Sequence, residues 1–81
     1  MSEIKSEAAV LDVRGLACPE PVFRTRTALL RGRGAGLDAH TDSAATRDNL
    51  VRLAGRERRE AEVLDRPDGT WIVRFAPARP E

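Results

Sequence analysis

The order of apolar runs, glycines and prolines along the chain predicts an α+β fold. It is a two-layer α/β sandwich, β-α-β-α-β-β, with a mixed four-stranded sheet and both helices on one face. Three observations predict it. A short apolar stretch at 9–13 and a weaker strand pattern at Leu37–Thr41 are each followed by a segment of helical periodicity. Gly32, Gly34 and Gly36 cluster between the first helical segment and the second strand, where a helix has to stop. Pro67-Asp68-Gly69 stands between two extended-type runs, the chemistry of a hairpin turn. Helix crossovers make the first strands parallel and right-handed, and the closing hairpin is antiparallel, so the sheet is mixed.

Residues 1–8 read as a polar, disordered tail, 9–76 as one domain, and 77–81 as a C-terminal tail with residues 76–81 disordered. Strand one covers 9–13. Arg14-Gly15-Leu16-Ala17 turns into a helix over 19–31, opened by Pro19, because proline is favoured where its missing N–H would lack a partner anyway. In strand two, Leu37, Ala39 and Thr41 share one face. Asp42 or Ser43 can cap helix two, which runs to Ala54 with Gly55 as its stop. Its inner face is Ala45 or Thr46, then Leu50, Leu53 and Ala54. Strand three covers 58–66 and strand four 70–76, where Trp71, Val73 and Phe75 alternate toward the helices.

At 81 residues there is room for one core only. The single cysteine, Cys18, excludes an internal disulfide, and with the single His40 it excludes a one-chain structural zinc site. Fourteen basic against thirteen acidic residues leave a net charge of +1, no general field for nucleic acid, and Phe23, Trp71 and Phe75 are too few for a base-stacking surface. No apolar run approaches a membrane span, and residues 1–7 have no signal-peptide core. The expectation is a cytoplasmic protein with no metal, cofactor, nucleic-acid or membrane partner, whose lone thiol stays reduced.

The topology has a chemical consequence. Parallel strands one and two end at the same sheet edge, and both helices begin there, where ligands of such folds bind. Cys18, Asp42 and the first turn of helix two become neighbours. Cys18 reads as the N-cap of helix one, where the positive end of the dipole favours thiolate, and Arg14 can add to this. Pro19 and Pro21 remove two N–H donors and Glu20 adds a negative charge, so only a modest depression of the thiol pKa is expected. A modest depression keeps the thiol reactive, since a very acidic thiol is a weaker nucleophile. The residues alone leave a second reading open, a small buried hydrophobe.

The run Leu-Asp-Val-Arg-Gly-Leu-Ala-Cys-Pro-Glu-Pro-Val, residues 11–22, resembles the signature of the TusA/SirA family of sulfur carriers. Asp42-Ser43-Ala44-Ala45-Thr46-Arg47-Asp48 is similar to that family's Asp-x-x-x-Thr-x-Asp stretch opening helix two. The resemblance implies the same two-layer fold, and implies that Cys18 takes sulfur as a persulfide from a cysteine desulfurase or a rhodanese-like donor. An acceptor protein then receives it, for tRNA thiolation, molybdenum cofactor maturation or sulfur oxidation. Arg14, Gly15, Pro19, Glu20 and Pro21 support the motif. The chain departs from the family pattern at Asp38 and His40, which make strand two unusually polar, and at Ser43, where proline is frequent.

Arg26 resembles a docking contact for the donor, and equally reads as a surface arginine whose stem covers apolar neighbours. Asp42 reads first as a helix cap. Arg47 opposes the dipole of its own helix turn, which marks it for a partner or sulfur-anion contact. His40 as a base for Cys18 is the weaker reading beside a polar surface histidine. Arg56, Arg58 and Arg59 read as a solvated basic cluster. The rival to a sulfur carrier is a non-catalytic adaptor in which Cys18 is structural; a redox sensor lacks its resolving cysteine.

Overall fold

The computed structural model describes residues 9–17 and 19–78; Cys18, the tail expected at 1–8 and residues 79–81 of the tail expected at 77–81 lie outside the described residues. The elements are β1 (Ala9–Asp12), α1 (Glu20–Arg31), β2 (Leu37–Thr41), α2 (Ala44–Arg56), β3 (Ala61–Asp65) and β4 (Trp71–Phe75). The sheet order is β1-β2-β4-β3, with β1 parallel to β2 and the remaining pairs antiparallel. This is the expected mixed sheet, and it places the hairpin strand β4 rather than β3 beside β2.

Alternation decides the faces. Leu37, Ala39 and Thr41 of β2 are buried, and Ala39 pairs with Leu11 of β1 and Val73 of β4. These rows meet Leu29 of α1 and Leu50, Leu53 and Ala54 of α2, with Val13 and Phe75 completing the core. Asp38 and His40 of β2 fall on the opposite face, away from the helices, where they find partners. Arg74 Nε and Nη2 donate to Asp38 at 2.9 and 3.1 Å across the Asp38–Arg74 register. His40 Nε2 lies 2.7 Å from Thr70 Oγ1. The strongly polar groups of β2 are thus confined to one face, and its core face holds Leu37, Ala39 and the buried Thr41, whose hydroxyl accepts from Ser43 N–H.

Several boundaries differ from expectation, among them the start of β3, which lies at Ala61 and not at residue 58. Pro19, not Cys18, is the N-cap of α1, so the cysteine precedes the cap by one position. Gly55 does not end α2; the helix continues to Arg56, Glu57 is its C-cap, and Arg58 takes the left-handed conformation with φ 59°. Its termination thus falls on a non-glycine residue, a strained conformation that local packing has to support. The C-terminal residues 76–78 were expected to be disordered, yet Ala76 N–H donates to Glu60 O and Ala78 N–H to Gly34 O, each at 2.8 Å. Arg59, expected to be solvated, is half-buried, and its Nη1 reaches the carbonyls of Ala35 and Ala76 at 3.1 Å each. No helix among the described residues is long and apolar enough to cross a membrane.

Candidate functional site

The candidate site forms where β1 and β2 end and α1 and α2 begin. Val13 N–H donates to His40 O at 2.9 Å, carrying the pairing one residue beyond β1. The chain then turns on an aspartate. Asp12 Oδ1 accepts from the Arg14 backbone N–H at 3.0 Å and from its Nε at 2.9 Å, and Oδ2 accepts from Nη2 at 2.8 Å. Hydrogen bonds from the Arg14 side chain and then its backbone N–H hold the Asp12 carboxyl far below the usual carboxylate range, and the same contact raises the Arg14 guanidinium. Arg14 therefore has its charge matched by Asp12, which weakens its expected contribution to a thiolate nearby.

Gly15 follows with φ 76°, a left-handed conformation that glycine adopts without penalty. Its N–H donates to Asp42 Oδ1 at 3.3 Å. The helix-cap role expected of Asp42 is filled by its neighbour: Ser43 Oγ accepts from Thr46 N–H at 3.2 Å, while Ser43 N–H donates to Thr41 Oγ1 at 3.2 Å. Asp42 is thereby free to tie the β1–α1 loop to the β2–α2 loop. The structure brings Gly15 and Asp42 together at this edge, while Cys18, the expected neighbour of Asp42, lies outside the described residues.

After this tie the chain passes Leu16 and Ala17, then position 18, and enters α1. Cys18 itself lies outside the described residues. Its neighbours Ala17 and Pro19 are exposed, Glu20 N–H donates to Ala17 O at 3.0 Å, and Phe23 N–H to Pro19 O at 3.1 Å. Pro21 is buried and anchors the first turn against the core, whereas Glu20 points outward and accepts from Arg24 Nε at 2.9 Å. Pro19 makes no side-chain capping bond. An exposed first turn is thus pinned on one side by a buried proline.

The other candidates sit apart from the loop. Arg26 Nε pairs with Glu57 Oε2 at 3.3 Å, at the C-cap of α2, the end of that helix opposite Ser43. Arg47 lies with its guanidinium 4.7 Å from the Trp71 ring centroid and pairs with Asp48 at 3.0 Å. The ring and Asp48 offset the unfavourable helix-dipole position. Trp71 pairs with Thr41 in the sheet, so Arg47 does reach the same sheet edge.

Two groups escaped the sequence reading. Thr70 Oγ1 donates to Asp68 Oδ1 at 2.6 Å and therefore accepts from His40 Nε2, forming a chain from His40 through Thr70 to Asp68. The hydroxyl, and then the Thr70 backbone N–H, lower the Asp68 carboxyl. His40 is engaged with the hairpin. The only signal was Pro67-Asp68-Gly69, which predicts a turn and not the long-range contact of the residue after it. The second is Asp12, whose spacing of two from Arg14 is ordinary for an aspartate closing a turn on itself. No group of three His, Cys, Asp or Glu among the described residues is arranged to hold a metal ion.

Residues 9–76 match the family model described as sulfurtransferase TusA. Among solved structures, the SirA-like protein of Desulfitobacterium hafniense is similar at a TM-score of 0.79 and 27% identity, covering 88% of this chain and 99% of that chain. No match is found among curated proteins.

Proposed function

The chain belongs to the sulfurtransferase TusA family, and from that premise we propose that it carries sulfur as a persulfide on Cys18. Membership gives the general role, sulfur transfer between a donor and an acceptor protein. The observation that carries the finer reading is that the family match spans the Arg14-Gly15-Leu16-Ala17-Cys18-Pro19-Glu20-Pro21 motif, in a chain with only one thiol. The exposed flanks of position 18, and the tethering of the preceding loop through Gly15 and Asp42, support it.

The reaction is an exchange between sulfurs. The Cys18 thiolate attacks the outer sulfur of a donor cysteine persulfide. The donor's S–S bond breaks, its cysteine leaves as thiolate, and the outer sulfur with its proton is now bonded to Cys18. An acceptor thiolate then attacks that outer sulfur, and Cys18 leaves as thiolate. Neither half consumes an oxidant, a metal or a cofactor. With no second cysteine, the loaded chain cannot release its sulfur into an internal disulfide, so release is intermolecular. The donor in this proposal is a cysteine desulfurase or rhodanese-like enzyme of the cytoplasm. The acceptor serves tRNA thiolation, molybdenum cofactor maturation or sulfur oxidation, without direct contact of this chain with nucleic acid or membrane.

Loaded protein freed of its donor tests the handover. The expected result is a sulfur that stays on the chain until a small thiol acceptor is added, then leaves as persulfide or sulfide. Sulfur that no acceptor thiol removes would contradict the carrier and favour a non-catalytic adaptor.

A further inference from the structure

We propose that the outward face of α1 is a self-complementary surface through which two copies of this chain associate, helix against antiparallel helix. The inward face of α1, with Pro21, Thr25 and Leu29, supplies its core contacts. The outward face carries Phe23, which is 60% exposed. Beside it a groove of about 420 Å³ runs between α1 and β1, with Leu11, Phe23 and Ala28 as its apolar lining and Glu20, Arg24 and Arg31 as its charges. β1 is an edge strand, so no neighbouring strand closes the groove.

The charges identify the occupant as a second copy. Glu20 opens the helix and Arg31 ends it. Each also suits its own helix dipole, which explains their presence but not the aromatic side chain exposed between them. An antiparallel two-fold sets Glu20 opposite Arg31 of the second copy, Phe23 opposite Ala28, and Arg24 opposite Thr27. Acid meets base, large meets small, and a cation meets a hydroxyl. A parallel pairing would instead set like charges together. Glu20 already accepts from Arg24 through Oε2 alone, and the Arg31 side chain makes no ion pair among the described residues, so both have capacity for the new contact. An isologous contact of this kind closes as a dimer. Over the twelve residues of α1 the two β1–α1 loops lie at opposite ends, about 18 Å apart along the axis, each open to its own partner.

Sedimentation equilibrium of the full chain in reductant, from micromolar to millimolar, tests this. The expected result is a reversible monomer–dimer equilibrium that Phe23→Ser weakens roughly tenfold or more. Glu20→Arg and Arg31→Glu should each weaken it, and the double reversal should restore it. Thr27→Arg, at an exposed position that leaves the core untouched, should weaken it by placing two arginines together, which keeps the test open if a Phe23 variant misfolds. A chain that stays monomeric at millimolar concentration overturns the proposal. So does a dimer indifferent to Thr27→Arg, or a double reversal that fails to rescue the single ones.

Discussion

Two aspartates hold the loop that leads to the proposed thiol, Asp12 from the strand before it and Asp42 from the β2–α2 loop. Asp12 binds Arg14 and Asp42 binds Gly15, so the loop is fixed at two consecutive residues before it reaches position 18. Asp12 and Asp68 are both lowered by hydrogen bonds that exist only in the fold. The sign follows from linkage. Between the unfolded carboxylate value of about 3.9 and the lower folded values, the unfolded chain binds more protons than the native one. Stability is therefore complete above that unfolded value and is lost as pH falls through the folded ones. Urea midpoints at pH 7 and pH 3 should differ more in the wild type than in Asp12→Asn; equal differences would remove Asp12 from the account. The motif around Cys18 was legible because its chemistry is local. The role of Asp42 was not, because aspartate and serine are near-equal caps and the choice is made by Gly15, 27 residues away.

At the scale of elements, both helices were legible in existence and α2 also in its buried face, since Thr46, Leu50, Leu53 and Ala54 are its buried set. Their ends were less so. Gly55 suggested a stop that tertiary packing carried two residues further, to a C-cap at Glu57 and a left-handed Arg58. Inside α1, Thr25 is fully buried and its hydroxyl has no hydrogen-bond partner among the described residues. Thr25→Val keeps the shape and removes the unpaired hydroxyl, so it should stabilise the domain by about 1 kcal/mol in urea denaturation. A loss of similar size would mean that the hydroxyl is satisfied. On the outer side of the helix pair, Arg26 pairs with Glu57 yet stays 58% exposed, open to a partner that exchanges one carboxylate for another. Arg26→Glu should slow sulfur loading from a desulfurase severalfold without lowering the melting temperature by more than a few degrees, since exposed pairs contribute at most about 1 kcal/mol. Unchanged loading kinetics would leave Arg26 as a surface ion pair.

For the whole molecule, alternation and connection rules yielded the mixed sheet and its single helix layer, and the parallel β1–β2 pair put both loops on one edge as required. The position of β4 between β2 and β3 was not legible from one chain, because either hairpin strand offers β2 an apolar row; Val73 and Phe75 are the ones buried against it. The consequence for function is that Thr70 and Trp71 reach the sheet edge that Asp42 and Ser43 follow, so the hairpin tip becomes part of the wall around the candidate site. The central claim, sulfur held on Cys18, is tested most directly by intact mass. The protein is incubated with a cysteine desulfurase and cysteine, then weighed with and without reductant. The expected result is a gain of one sulfur that reductant removes and that Cys18→Ser abolishes. No gain with several donors, or a gain that survives in Cys18→Ser, would contradict it.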